Sequence, residues 1–133
     1  MSSSPCQLDA QDFLFRFLHR ANVNPNGTVS SGAFSLRRDS AISLGIEKLI
    51  PTTSLDAFCA LKPGQGLAKV RLDEIQAVGL NVQPEAESAW GEFANAHAVL
   101  TGYDGWTNDR KETAARALRN AANRWGVVKA PAK

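Results

Sequence analysis

The chain has 133 residues, of which 44% are hydrophobic and 21% are charged, and its formal net charge is +2. This composition is ordinary for one globular domain, argues against wholesale disorder, and gives a charge too small to indicate nucleic-acid binding by itself. No apolar run approaches the ~18 residues of a membrane-spanning helix, so the sequence predicts no membrane span.

The amino terminus, Met-Ser-Ser-Ser-Pro-Cys, lacks the basic segment and apolar core of a secretory signal peptide. Cys6 and Cys59 do not suggest a disulfide framework, so a cytoplasmic location is expected. We expect a flexible lead over residues 1–7, a single α+β domain over 8–128, and a flexible tail over 129–133.

The first element follows this lead. Asp9 can cap a helix, and Leu8 and Phe13 have the spacing of a hydrophobic staple. The alternative is a strand, because Phe13, Phe15 and Phe17 also alternate along the chain. The capping signal favours the helix, so an N-terminal helix is predicted.

Residues 27–45 form the segment richest in glycine, serine and other polar residues, with a few apolar residues spaced for burial. The segment predicts two strands, over 28–34 and 41–46, around a basic turn that contains Arg37 and Arg38. Pro51 ends the run, and a short helix is predicted to begin at Thr53.

Three further strands are predicted over 67–72, 80–83 and 96–101, with a single helical turn from Asp73 to Val78 after the first. The clearest helix comes last, where Thr107 or Asn108 can cap it and small apolar residues recur at helical spacing. Its apolar stripe consists of Ala114, Leu118, Ala121, Ala122 and Trp125.

These elements predict an α+β fold. The N- and C-terminal helices are expected to pack on a small, mostly antiparallel sheet of four to five strands.

The candidate catalytic residues are His97, Ser31 and Ser43. Histidine exchanges a proton near neutral pH, so His97 can act as a general base, although a structural histidine in the core is the commoner interpretation. Ser31 and Ser43 fall on the two strands predicted within 28–46, and a serine becomes nucleophilic when it meets such a base. The sequence alone does not place either serine beside His97.

The candidate ligand-binding residues are Arg16, Ser30, Arg37 and Arg38. Guanidinium groups and hydroxyls around a turn can hold a phosphate or another anion, although a solvated hairpin turn is the commoner explanation. Neither a phosphate-binding Gly-Lys-Ser/Thr sequence nor a Gly-x-Ser-x-Gly elbow occurs.

No metal site and no cofactor are predicted, because the histidines and cysteines lack the spacing of metal ligands. The charge distribution points instead to a partner surface. Residues 72–109 contain no lysine or arginine, whereas the last helix is basic. Its candidate partner-binding residues are Arg110, Arg116, Arg119 and Arg124. A solvated helix face is the commoner interpretation, and the lack of interleaved aromatic residues weakens the case for single-stranded nucleic acid.

Five short motifs follow one another over about residues 13–102. They are Phe-Arg at 15–16, Ser-Ser-x-Ala-Phe at 30–34, Ile-Ser-Leu at 42–44, Gly-Leu-Asn-Val at 79–82 and Asn-Ala-His-Ala at 95–98. This pattern resembles a group of small bacterial proteins of uncharacterised activity. The group has a proline between the asparagine and the Ala-His pair that this chain lacks. The resemblance implies a bacterial intracellular protein and no catalytic role, and it leaves out the final helix.

We therefore expect a small bacterial accessory protein that binds a protein partner in a multi-component system, such as a defence or mobile-element system. The alternative is an enzyme or ligand-binding domain that holds a nucleotide-like anion near Ser31, Ser43 and His97. A weaker alternative is nucleic-acid binding through the basic C-terminal helix.

Overall fold

The protein is described by a computed structural model that covers residues 7–37 and 42–132. Within these residues one antiparallel sheet has the strand order β3-β1-β2-β5-β4. The strands are β1 (Phe13–Leu18), β2 (Ser43–Ile46), β3 (Gly66–Arg71), β4 (Asn81–Pro84) and β5 (His97–Thr101). The helices are α1 (Leu55–Cys59), α2 (Leu72–Ala77) and α3 (Asn108–Trp125). The predicted α+β fold is confirmed, as is the C-terminal helix that packs on the sheet.

The predicted N-terminal helix is wrong, because residues 13–18 form the strand β1. β1 pairs with β3 over its whole length and with β2 on its other side, so it lies inside the sheet. Leu14 and Leu18 are buried on one face, and Phe15 and Phe17 are buried on the other. A strand covered on both faces is a nearly continuous apolar run, which resembles a helical stripe in the sequence.

Two apolar layers cover the two faces of the sheet. On the first face, α3 contributes Ala114, Leu118 and Ala122 to a cluster that also holds Leu14 and Leu44. The second face carries what we call the aromatic layer. It consists of Phe15, Phe17, Phe58, Trp90 and Phe93. The two faces therefore present different surroundings to any polar residue on the strands.

The predicted strand over 28–34 is also wrong. Val29 makes only an isolated bridge to Val23, and Ser31–Phe34 is a 3-10 turn. The Asn123 side chain on α3 holds Val29 on both sides: Val29 N donates to Asn123 Oδ1 at 2.8 Å, and Asn123 Nδ2 donates to the Val29 carbonyl at 3.1 Å. Ala33 and Phe34 are buried in the α3-side cluster. The segment thus packs on a helix instead of pairing with a strand.

The remaining predicted elements are found close to their expected places. β2, β3, β4 and β5 correspond to the strands expected over 41–46, 67–72, 80–83 and 96–101. Thr107 caps α3 as expected, since its hydroxyl accepts from the Arg110 amide at 3.2 Å.

Residues 128–132 run beside the outer edge of β3. The Val128 amide donates to the Leu67 carbonyl at 2.8 Å, and the Ala132 amide donates to the Gly64 carbonyl at 2.9 Å. A side chain at position 66 would strike the Lys129 carbonyl and Pro131, so this close approach requires Gly66. The domain boundaries and the flexibility of residues 129–133 remain predictions; residues 1–6, with Cys6, lie outside the described residues.

Glu74 accepts three hydrogen bonds, two of which join α2 to α3. Its carboxylate accepts from the Trp125 indole at 2.8 Å, from the Arg71 amide at 2.8 Å and from the Arg124 guanidinium at 2.9 Å. Burial alone would raise the pKa of Glu74, but these three donors outweigh burial and hold it below its usual value of 4.5.

Because the pKa of Glu74 is lowered by folding, its contribution to stability is complete above the unfolded value and is lost as the pH falls through the folded one. We expect Glu74→Gln to lower the free energy of unfolding by about 1–2 kcal/mol at pH 7. The difference from the wild type should shrink below about pH 4.5. Urea unfolding from pH 7 to pH 3 measures this difference, and Glu92→Gln, at an exposed glutamate, is the control. If the difference in the free energy of unfolding stayed constant from pH 7 to pH 3, the pKa of Glu74 would not be lowered by folding.

Candidate functional site

The first pair of functional side chains joins β2 to β5. The register places Ser43 opposite Val99 and Gly45 opposite His97, so Ser43 and His97 lie on the same face of the sheet. Ser43 Oγ is 3.1 Å from His97 Nε2. The structure therefore brings together two of the three candidate catalytic residues.

The His97 ring is oriented by the backbone of residue 85. His97 Nδ1 lies 2.6 Å from the Glu85 carbonyl oxygen, and the Glu85 amide donates to the His97 carbonyl at 3.0 Å. Because a carbonyl oxygen only accepts, Nδ1 must carry the ring proton, and the neutral ring then presents the Nε2 lone pair to the Ser43 hydroxyl. This tautomer is the one that a general base for Ser43 requires.

The aromatic layer encloses the imidazole. The rings of Trp90 and His97 meet edge to face with their centroids 4.6 Å apart, and His97 is only 5% exposed. Trp90 in turn contacts Phe17 and Phe58. His97 is thus held by two hydrogen bonds and by a packed indole, which leaves little freedom for the ring to turn.

Ser43 is half-buried and lines a cleft of about 310 Å³ at the end of β1 and β2. The residues that line this cleft, which we call the serine cleft, are Arg16, Phe17, His19, Asn22, Ser43, Lys62, Gln65 and Trp90. Its polar groups are mainly cationic or hydrogen-bond donors. A small ligand with negative charge would therefore find complementary groups beside the Ser43 hydroxyl.

Arg16 lies at the point where β1 and β2 separate. The two strands pair only at Leu14↔Ile46 and Phe15↔Gly45. Beyond this, Arg16 Nη1 donates to the Ser43 carbonyl at 3.2 Å, and Arg16 Nε donates to the Ala33 carbonyl at 2.8 Å. The guanidinium thus fixes the backbone of Ser43 and ties it to the 31–34 turn.

Ser31 does not join this pair. It begins the 3-10 turn on the α3 side of the sheet, where it lines a second cleft together with Arg37 and Arg116. The expected convergence of all three candidates on one anion is therefore not found. Ser30 precedes the turn and donates its amide to the Asn22 carbonyl at 2.8 Å, and Arg38 lies outside the described residues.

The four arginines of α3 do not form one surface. Arg110 stacks on the Trp106 ring at 3.8 Å, and Arg124 is paired with Glu74. At 100° per residue, these two lie on one flank of the helix, and Arg116 and Arg119 lie on the other. The assignment of these four residues to a partner surface remains a prediction.

Sequence reasoning missed the groups that complete the site. The Glu85 carbonyl carries no sequence signal, since every residue has one. Lys62 and Gln65 line the serine cleft, and no sequence pattern singles them out. Trp90 both lines the serine cleft and packs in the aromatic layer, and a lone tryptophan in the sequence does not reveal either role.

Among residues 7–37 and 42–132, no group of three or more His, Cys, Asp or Glu side chains is placed to hold a metal ion. No helix in that part of the chain has the length and apolar character needed to cross a membrane. Comparisons with protein-family models, curated protein sequences and solved structures returned no match. The bacterial origin, the cytoplasmic location and the resemblance noted from the sequence remain predictions.

Proposed function

We propose that this chain is an acyl-transfer enzyme of the hydrolase type, with Ser43 as the nucleophile and His97 as its general base. The observation that carries the proposal is the chain of contacts from Ser43 Oγ to His97 Nε2 and from His97 Nδ1 to the Glu85 carbonyl. A nucleophile, a base and a group that orients the base are the parts that such catalysis needs.

The proposed reaction proceeds in two steps. Ser43 Oγ attacks the ester carbonyl while His97 Nε2 takes the hydroxyl proton, and the C–O bond to the leaving alcohol then breaks as the alcohol receives that proton. A water molecule, deprotonated by the same nitrogen, next hydrolyses the acyl-serine and regenerates the hydroxyl. The Glu85 carbonyl keeps Nδ1 protonated throughout and stabilises the imidazolium that forms after each proton transfer.

The serine cleft supplies the remaining groups. The side chains of Asn22, Lys62 and Gln65 carry hydrogen-bond donors and line the same cleft as Ser43, and such donors can stabilise the oxyanion of a tetrahedral intermediate. The cleft volume of about 310 Å³ suits a short acyl chain. Because cationic side chains outnumber acidic ones in its lining, we propose a short ester with an anionic group as the substrate class.

Covalent labelling tests this proposal. A fluorophosphonate reagent reacts with an activated serine, whose oxygen bonds to phosphorus as fluoride leaves. We expect the wild type to be labelled once per chain and Ser43→Ala to be unlabelled. Ser31→Ala is the matched control, because its hydroxyl lines a different cleft, and it should react at the wild-type rate. Equal labelling of the wild type and Ser43→Ala would overturn the proposal.

A further inference from the structure

A second cleft lies between the 31–34 turn and α3, on the face of the sheet opposite the aromatic layer. Its volume is about 630 Å³. The residues that line this basic cleft are Ser31, Gly32, Ser35, Leu36, Arg37, Lys111, Glu112, Ala115 and Arg116. The proposed acyl transfer uses none of these residues.

The charges of the basic cleft are unequal. Its described lining contains three cationic side chains, Arg37, Lys111 and Arg116, and one carboxylate, Glu112. Glu112 is paired with Arg37, but the two side chains are 44% and 50% exposed. Pairs with this exposure contribute little to stability and exchange readily with other ions. An external anion can therefore replace Glu112 on Arg37 at small cost.

We propose that the basic cleft binds a compact phosphate-bearing small molecule. Two guanidinium groups and an ammonium group provide the forked and point-like donors that phosphate oxygens accept, and the hydroxyls of Ser31 and Ser35 add neutral donors. Among the described residues that line the cleft none is aromatic, so they offer no surface on which a nucleotide base would stack. The phosphate group, and not a base, is thus the recognised chemistry.

Calorimetric titration at low salt tests this proposal with inorganic pyrophosphate as the probe. We expect Arg116→Gln to weaken binding about tenfold, since it removes a charge-assisted contact. Glu112→Gln should strengthen binding several-fold, because Arg37 loses its competing carboxylate. Arg119→Gln is the matched control: this arginine is on the same helix but outside the cleft lining, and its substitution should leave the affinity unchanged.

Titrations with two further ligands distinguish which phosphate compounds the cleft accepts. A sugar phosphate and 5′-AMP should bind with similar affinity, and a clear preference for AMP would contradict the absence of a base-stacking surface. No pyrophosphate binding by the wild type at millimolar concentration, or equal weakening by Arg116→Gln and Arg119→Gln, would overturn the proposal. Labelling of Ser43 should be unchanged in Arg116→Gln, so failure here is distinguishable from failure of the proposed acyl transfer.

Discussion

Replacing His97 with asparagine is expected to slow fluorophosphonate labelling of Ser43 by at least about 100-fold. The variant removes Nε2, which is 3.1 Å from Ser43 Oγ, and with it the base that takes the hydroxyl proton. The asparagine amide can still donate to the Glu85 carbonyl, because its nitrogen occupies nearly the position of Nδ1. The substitution therefore separates the loss of the base from the loss of the hydrogen bond that holds residue 97. The measurement is the second-order rate of labelling at pH 8.

A thermal unfolding curve of each variant provides the control for this rate. His97→Asn must be folded at the temperature of the assay, which the retained bond to the Glu85 carbonyl favours. If a folded His97→Asn variant reacts at the wild-type rate, then His97 does not activate Ser43, and their hydrogen bond only joins β2 to β5.

Phe58→Ala is expected to lower the free energy of unfolding by about 3–5 kcal/mol. Phe58 is completely buried and contacts four rings of the second face, at centroid distances of 6.0 Å to Phe15, 5.0 Å to Phe17, 5.4 Å to Trp90 and 5.5 Å to Phe93. Removing the ring leaves a cavity at the centre of the aromatic layer and deletes all four contacts. Equilibrium unfolding in urea measures the loss.

The backbone below Phe58 limits how far this cavity can close. A side-chain carbon added at Gly45 would lie 2.6 Å from Phe58 Cζ, so the ring packs directly on the strand β2. Phe58→Leu refills part of the space and should cost less than half as much as Phe58→Ala. Equal destabilisation by the two substitutions, or a loss below 1 kcal/mol for alanine, would contradict a tightly packed aromatic layer.

Local patterns were sufficient to predict the elements that bury one face. The stripe of small apolar residues, together with the capping residue Thr107, located α3. The pattern failed for β1 because both faces of that strand are buried, so its nearly continuous apolar run also fits a helical stripe and the capping signal at Asp9 decided wrongly. It failed for residues 28–34 because Asn123, 94 residues away from Val29, supplies the backbone partners that a strand neighbour would supply. Such long-range partners leave no mark in the local sequence.

The sequence was sufficient to name candidate residues of the site by their chemistry, but it did not show which of them are in contact. His97 and Ser43 were singled out because histidine and serine can perform proton transfer and nucleophilic attack. Their contact depends on the β2–β5 register, which pairs residues more than fifty positions apart. Ser31 was grouped with them on the assumption that 28–34 is a strand. Because that segment is instead a turn that packs on α3, Ser31 lines the basic cleft.

Peptide mapping of the phosphonylated wild-type chain shows whether Ser43 is the nucleophile, because it locates the oxygen that bonds to phosphorus. The protein is treated with a fluorophosphonate, digested and analysed by tandem mass spectrometry, with Ser43→Ala treated in parallel. We predict a single adduct on Ser43 in the wild type and none in the variant. An adduct on another residue with Ser43 unmodified, or no adduct on the folded wild-type protein, would contradict it.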